Sequence, residues 1–435
     1  MSNQQKLTNP FYALLSLPST AMGFALCVQI NALSWILSEK YKLSIEHVGY
    51  VWLAGPLAGL LAQPIVGLIS DKVWFWGGRR RPFILIGGVT ASLMLLALPF
   101  LAEVSLFTGL GILATAIVVA LTLDLAINVG FNPTRSIIAD LTPEGEARTK
   151  GFAWMQTVSG FFGVLASVIG AAAGNYALIY IGVALVLVLN VVPAFLLKEP
   201  RDLGTTASHA SPTELKAGQG TTKLSRLLHV YLAHAFTWLG VQTMFVFLFA
   251  YARHAFFGGR MDLGDDEGKT LGKIISISFG IMQTVGFVLP VLVLNPLAKK
   301  IGLVRTHTVC IFIMAMGYGA LAYFGTGLPI LGLYALMAVV GIGWASVVSL
   351  PFAIMSDSVD KTRMGLFMGL FNLSVVIPQI LVSVGIGSFV DDAADKNLVF
   401  IICAASLAIS AVLWALLRED RAEPGEIAMG GGGHH

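Results

Sequence analysis

Apolar residues fall into long uninterrupted runs, and polar residues collect in the gaps between them. About 20 apolar residues cross the hydrocarbon core of a bilayer as a helix. Runs of that kind lie near 11–38, 47–70, 82–102, 106–140, 150–174 and 177–197. A stretch rich in Ser, Thr, Gly and Lys follows, from Lys198 to Arg226, and six more runs lie near 229–254, 272–298, 303–325, 328–357, 362–390 and 396–417. The pattern predicts an N-terminal six-helix half over 1–197, a cytoplasmic linker over 198–226, a C-terminal six-helix half over 227–421 and a tail over 422–435. In that tail, Gly430 to Gly433 followed by His434 and His435 reads as a linker and tag remnant. The first ten residues are polar, and the run after them is long enough for a first span rather than the core of a cleavable signal.

Composition narrows the class. Of 435 residues, 56% are hydrophobic and 12% charged, against roughly 25% charged in ordinary globular proteins. So few charges leave a soluble surface of this size uncovered. The mean hydropathy of +0.80 and the 47 glycines fit a polytopic helical membrane protein. A net charge of +3 gives no reason to expect a nucleic-acid partner. The bilayer is the expected surround.

Basic residues set the orientation. With both termini cytoplasmic, 19 of the 27 Lys and Arg fall in cytoplasmic segments, seven lie on the opposite side, and Arg135 lies within a helix. This predicts a multi-pass protein of the cell membrane with both ends inside. The halves also repeat weakly: Pro133, Asp140, Arg148 and Gly151 mark the end of helix 4 and the start of helix 5, and Pro351, Asp357, Arg363 and Gly365 mark the same features around helices 10 and 11. The fold class is therefore all-α integral membrane, twelve transmembrane helices as two six-helix halves. Two repeats of this kind fit the major-facilitator architecture, with substrate bound between them near the midplane.

The loop after helix 2 carries Gly67, Asp71 and Lys72, then Arg79, Arg80 and Arg81 before Pro82. An acidic residue at the membrane edge beside an arginine cluster suits a conformational lock as well as a headgroup anchor. With Asp140, Arg148, Asp357 and Arg363 these form the expected gating set.

Helix 4 carries the most informative charge. Asp124 lies in Val-Val-Ala-Leu-Thr-Leu-Asp-Leu-Ala-Ile, far from either loop. A carboxylate at that depth costs roughly 2.5–3.5 kcal/mol on insertion scales, so it needs a compensating role. At about 100° per residue, Asn128 and Arg135 fall on its face of the helix. Eleven residues at about 1.5 Å of rise put Arg135 roughly 16 Å away along the axis, too far for a direct pair.

The other polar side chains singled out within spans are Gln29, Asn31, Gln63, Gln156, Gln242, Asn372 and Gln379. Amides at this depth commonly join helices. Trp238 and Gln242 lie one turn apart, and an aromatic ring beside an amide suits a sugar, which stacks a C–H face and spends its hydroxyls on the amide. Trp344 is placed for the same work, while Trp52, Trp74 and Trp76 read as an interfacial belt. His234 and His254 read as interfacial, and Cys27, Cys310 and Cys403 as unreactive buried thiols. There is no metal-ligand spacing, P-loop, nucleophile elbow or HExxH motif, so no enzyme, metal or cofactor is expected.

Several segments together resemble the plant-type sucrose/proton symporters and their bacterial and animal relatives, a branch of the glycoside-transporting major facilitators. These are Trp52-Leu-Ala-Gly-Pro56-Leu-Ala-Gly59, Gln63-Pro64-Ile-Val-Gly67, Ser70-Asp71 through Gly78-Arg79-Arg80-Arg81-Pro82, and Leu123-Asp124-Leu-Ala-Ile-Asn128 with Pro133-Thr-Arg135 and Ala139-Asp140. Ser349-Leu-Pro351-Phe352-Ala353, Gly369-Leu-Phe-Asn372 and Ile377-Pro378-Gln379 extend the likeness into the second half. The resemblance implies that Asp124 couples transport to the proton and that Arg135 is required. It departs at the outer end of helix 7, where plant members carry an acidic pair; here Phe249 to Gly259 holds Arg253 and no carboxylate.

The sequence therefore leads us to expect a monomeric symporter that imports a disaccharide, sucrose or a maltose-like glucoside, with the proton as coupling ion. The substrate-binding set is Asp124, Asn128, Arg135, Gln29, Asn31, Gln63, Gln156, Trp238, Gln242, Trp344, Asn372 and Gln379. A passive or sodium-coupled sugar carrier is the alternative, and a transporter-like sugar sensor a remote one.

Overall fold

The computed structural model describes residues 7–60, 69, 73–143, 146–199, 224–356, 359 and 364–417. Among the described residues the fold is built of helices. In chain order the helices are α1 (Asn9–Glu39), α2 (Ile45–Trp52, helical again over 54–60), α3 (Arg81–Thr108), α4 (Ile112–Leu141), α5 (Glu146–Ala173) and α6 (Asn175–Leu196). The second half holds α7 (Leu224–Phe257), α8 (Asp265–Ile301), α9 (Leu303–Phe324), α10 (Ile330–Val347), α11 (Met364–Leu381, continuing through Gly387–Asp392) and α12 (Leu398–Leu416). Among the described residues eleven helices are long and apolar enough to cross a membrane; α2 runs up to residues that lie outside the described set. Apolar side chains face outward throughout, with Phe107 92% exposed, as a lipid-facing surface requires.

Three boundaries differ from the hydropathy reading. The break between the third and fourth spans falls at Gly109, whose φ of +71° closes α3, so Glu103 lies within the helix. Helix α8 starts at Asp265 rather than near 272, because Asp265, Asp266 and Glu267 place negative charge at its positive N-terminal end. Helix α7 starts at Leu224, inside the expected linker.

The packing repeats with an offset of six helices. In the first half α1 packs on α5 and α6, and α3 on α4 and α6. In the second, α7 packs on α11 and α12, and α9 on α10 and α12. The contacts between halves repeat too: α5 lies against α8, and α2 against the C-terminal part of α11. Small residues line these seams, as close helix approach demands. A β-carbon on Gly49 of α2 would meet the Ser383 carbonyl oxygen of α11 at 2.7 Å, and one on Gly280 of α8 would meet Ser167 of α5 at 2.9 Å.

Successive spans alternate in direction, so Asn9 and Leu416 lie at one end of the bundle and Glu39 at the far end. At that far end the halves are tied by polar contacts. Trp35 Nε1 donates to the Gly268 carbonyl (2.8 Å), Ser34 Oγ to the Val246 carbonyl (3.1 Å), and Arg253 pairs with Glu39 (2.7 Å).

Candidate functional site: a polar cavity between the halves

Beneath that far-end closure lies a cavity of about 570 Å³ lined by α1, α2, α4, α7, α8, α10 and α11, well inside the roughly 300–1,000 Å³ range of small-molecule sites. Its two walls differ in chemistry. The N-terminal half contributes Gln29, Asp124, Asn128 and Arg135, with Trp52 and Phe131. The C-terminal half contributes Trp238, Phe245 and Trp344, with Gln242, Gln283, Asn372 and Gln379.

Asp124 sits near the middle of α4 and is 4% exposed. One carboxylate oxygen, Oδ2, accepts a hydrogen bond from Gln29 Nε2 at 3.0 Å. Gly55 of the adjoining α2 segment leaves room for the carboxylate, since a β-carbon there would lie 3.6 Å from Oδ2. One turn on, Asn128 Nδ2 donates to the Asp124 backbone carbonyl at 2.8 Å. Farther along the same face, the Arg135 guanidinium lies over the Phe131 ring at 5.0 Å. Arg135 is exposed, so the cavity reaches solvent on the side of the bundle that carries the termini.

On the opposite wall, Trp238 and Trp344 meet edge-on with centroids 6.2 Å apart, and Phe245 meets Trp344 edge-on at 5.2 Å. Trp344 Nε1 donates to Gln283 Oε1 at 3.0 Å. Gln379 Nε2 donates to Gln242 Oε1 at 3.3 Å, which leaves one amide group of each residue for a ligand.

Nine of the twelve expected binding residues line this cavity: Asp124, Asn128, Arg135, Gln29, Trp238, Gln242, Trp344, Asn372 and Gln379. Asn31 does not. It lies about 200° around the helix from Gln29, donates to the Cys27 carbonyl and accepts from Ser167 Oγ, and so joins α1 to α5. Gln156 is exposed and does not line the cavity, and Gln63 lies outside the described residues. Among the lining residues outside the expected set are Gln283 and Trp52. Gln283 is an amide at mid-depth of α8, a signal of the same kind as those singled out. Trp52 is not an interfacial anchor: it is buried, and its Nε1 donates to Ser34 Oγ at 2.8 Å. His234 is likewise buried rather than interfacial, while His254 faces Asp395 at 3.3 Å.

Of the expected gating residues, Asp71, Asp357 and Arg363 lie outside the described residues. Asp140, at the end of α4, accepts from Arg80 Nε (3.1 Å) and Arg79 Nη2 (3.4 Å). Arg148 Nη2 donates to the Ala139 and Thr142 carbonyls and so covers the C-terminal end of α4. Arg81 lies over the Phe195 ring at 4.5 Å. A residue not anticipated, Glu199, accepts the backbone N–H of Arg79, Arg80 and Arg81 at 2.8, 2.9 and 2.7 Å. Its carboxylate satisfies the open amides where α3 begins. No group of three or more His, Cys, Asp or Glu placed to hold a metal occurs among the described residues, and Cys27, Cys310 and Cys403 are buried free thiols.

Two like-folded halves around a polar cavity closed at one end define a membrane transporter that moves a small molecule between its halves. Comparison with known proteins gives the family. Residues 15–383 match the Major Facilitator Superfamily, and the chain belongs to that superfamily; it is not an enzyme. It is 26% identical over 477 residues to sucrose transport protein SUT2 of Oryza sativa subsp. indica, covering 95% of this chain and 94% of that protein. It is also 26% identical over 441 residues to sucrose transport protein SUC4 of Arabidopsis thaliana, covering 86% and 83%. Among solved structures, the nucleoside transporter NupG superposes with a TM-score of 0.72 at 16% identity, covering 94% of this chain and 98% of that one. A bacterial homologue of the lysosomal transporter Spinster, inward-facing and occupied, superposes with a TM-score of 0.65 at 14% identity, covering 94% and 96%. These two likenesses speak for the fold.

Proposed function

We propose that this protein is a proton-coupled symporter importing a disaccharide, sucrose or a maltose-like glucoside, across the cell membrane by alternating access. The observation that carries the proposal is Asp124: a carboxylate 4% exposed at mid-helix, facing a central cavity, with an amide as its hydrogen-bond partner. Among the described residues no cationic side chain pairs with this carboxylate, so proton binding and substrate binding draw on the same buried group. Loading a proton and loading a substrate at the same wall therefore favour each other. The kinship with plant sucrose transport proteins supplies the substrate class, and the paired chemistry of the cavity suits it. Amides and charges on one wall bind hydroxyls, and indole rings on the other stack against the C–H face of a pyranose.

In this reading both termini are cytoplasmic, so the far end closed by Glu39 and Arg253 is the outer end and the structure is inward-facing. Asp124 takes its proton from outside together with the sugar. The halves then rock about the α5–α8 and α2–α11 seams, the sugar leaves inward, and the proton follows. One chain contains both walls of the cavity, so a monomer suffices, and the proton serves as coupling ion with no further cofactor.

The test is uptake by the purified protein in proteoliposomes across a panel of sucrose, maltose, trehalose and glucose. Uphill accumulation of a disaccharide is expected under an inward proton gradient and not under an equal sodium gradient. Accumulation driven by sodium, or equilibration under every gradient, overturns the coupling. Absence of disaccharide uptake overturns the substrate class.

A further inference from the structure

His234 is 3% exposed on α7, lies outside the cavity lining and has no part in the transport scheme above. Its Nε2 accepts a hydrogen bond from Trp238 Nε1 at 2.9 Å. Its ring stacks on Phe371 of α11, centroids 4.6 Å apart and planes within 14°. A neutral imidazole that accepts at Nε2 carries its proton on Nδ1, and Nδ1 is buried with no hydrogen-bond partner among the described residues. A buried, unpaired N–H is unfavourable. Phenylalanine at this position would keep the stack on Phe371 and avoid that cost. What the imidazole adds is the Nε2 lone pair, and its recipient is an indole of the cavity wall.

We propose that His234 is a positioning residue of the substrate site, fixing Trp238 by taking up its indole N–H. Trp238 then meets Trp344 edge-on and presents ring carbon to the cavity instead of a hydrogen-bond donor. Gln283 holds Trp344 in the same way from α8. With both indole N–H groups bound to protein acceptors, the indole part of this wall meets an apolar ligand face, and discrimination among hydroxyls falls to Asp124, Asn128 and Arg135 opposite and to the amide groups that Gln242 and Gln379 leave open. The inference rests on the sugar-site reading for its functional half and on geometry alone for its structural half.

The experiment uses the full-length protein in nanodiscs and proteoliposomes, with His234→Phe, His234→Gln, Trp238→Phe and the double variant His234→Phe/Trp238→Phe. The first readout needs no substrate. Two edge-on indoles at this separation couple as excitons in circular dichroism, and the Trp238→Phe difference spectrum defines the couplet. The couplet is expected to vanish in His234→Phe and to survive in His234→Gln, whose side-chain carbonyl still accepts. The second readout is sucrose counterflow. The half-saturating concentration is expected to rise about tenfold in His234→Phe, the size of one lost hydrogen bond, with the maximal rate little changed. It should recover in His234→Gln, and His234→Phe should add nothing once Trp238 is phenylalanine.

A couplet that persists in His234→Phe, or additive effects in the double variant, overturns the positioning role. Loss of the couplet in His234→Phe and its survival in His234→Gln, with no sucrose counterflow by the native protein, supports the positioning of Trp238 and overturns the sugar reading instead. If His234→Phe does not fold, the double variant decides, since it has no Trp238 indole N–H left to satisfy. Its folding supports the role and its unfolding overturns it.

Discussion

Glu39 of α1 and Arg253 of α7 form a 2.7 Å ion pair between the two halves of the molecule, with side chains 8% and 4% exposed. Each charge is buried against the other, and Arg253 also lies over the Phe249 ring at 5.5 Å. Breaking a buried pair from one side leaves an uncompensated charge and typically costs about 3–5 kcal/mol, whereas replacing both partners with apolar groups is often close to neutral. We therefore expect Glu39→Gln and Arg253→Met singly to open the far end, and Glu39→Leu/Arg253→Met to restore most of the closure. Distances between spin labels on the far ends of α1 and α7 report this directly. Equal opening in the single and double variants would show that the pair does not hold the end shut.

The α2–α11 seam makes a second, steric prediction. The space beside Gly49 is filled by the Ser383 backbone carbonyl, which cannot swing aside as a side chain does. Gly49→Val is expected to hold the far end open, cutting uptake by about tenfold or more, a little over 1.4 kcal/mol against the closed state. Labelling of a far-end cysteine should rise in parallel. Uptake at the native rate with unchanged labelling would contradict the seam's role.

Glu199 predicts a local stability effect away from the cavity. Three backbone amides converge on its carboxylate where α3 begins. Removing the acceptor in Glu199→Ala should destabilise the protein by about 1–3 kcal/mol, and Glu199→Asp, one methylene shorter, should fall between. Thermal unfolding in detergent measures this, and a Glu199→Ala midpoint equal to that of the native protein would rule the cap out as a stabilising contact.

Much of the fold was legible because a bilayer forces apolar runs into helices, and the six-helix offset left traces such as Pro133 with Pro351. Where boundaries went astray, local chemistry had overridden hydropathy: Gly109 ends α3 later than its polar residues suggest, and the acidic first turn of α8 starts that helix early. Asp124, Asn128 and Arg135 were legible because a charge at depth is rare and the helical period fixes its face. Asn31 was misplaced although the same period, applied to Gln29, puts it on the opposite side. Hydropathy alone puts His234 at the interface, but α7 extends beyond its apolar run and sinks the residue deeper. Glu199 and the Glu39–Arg253 pair were not legible at all, since their partners lie 118 and 214 positions away in sequence and only the packing of the halves brings them together.

The central claim is that Asp124 couples the proton to the sugar, and one substitution separates coupling from binding. Asp124→Asn keeps the shape and the hydrogen-bonding capacity of the protonated acid but exchanges no proton. In proteoliposomes, Asp124→Asn is predicted to retain sucrose counterflow, which needs no gradient, and to lose both uphill accumulation under an inward proton gradient and its dependence on external pH. Accumulation by Asp124→Asn to the native level, with the native pH dependence, would contradict the account.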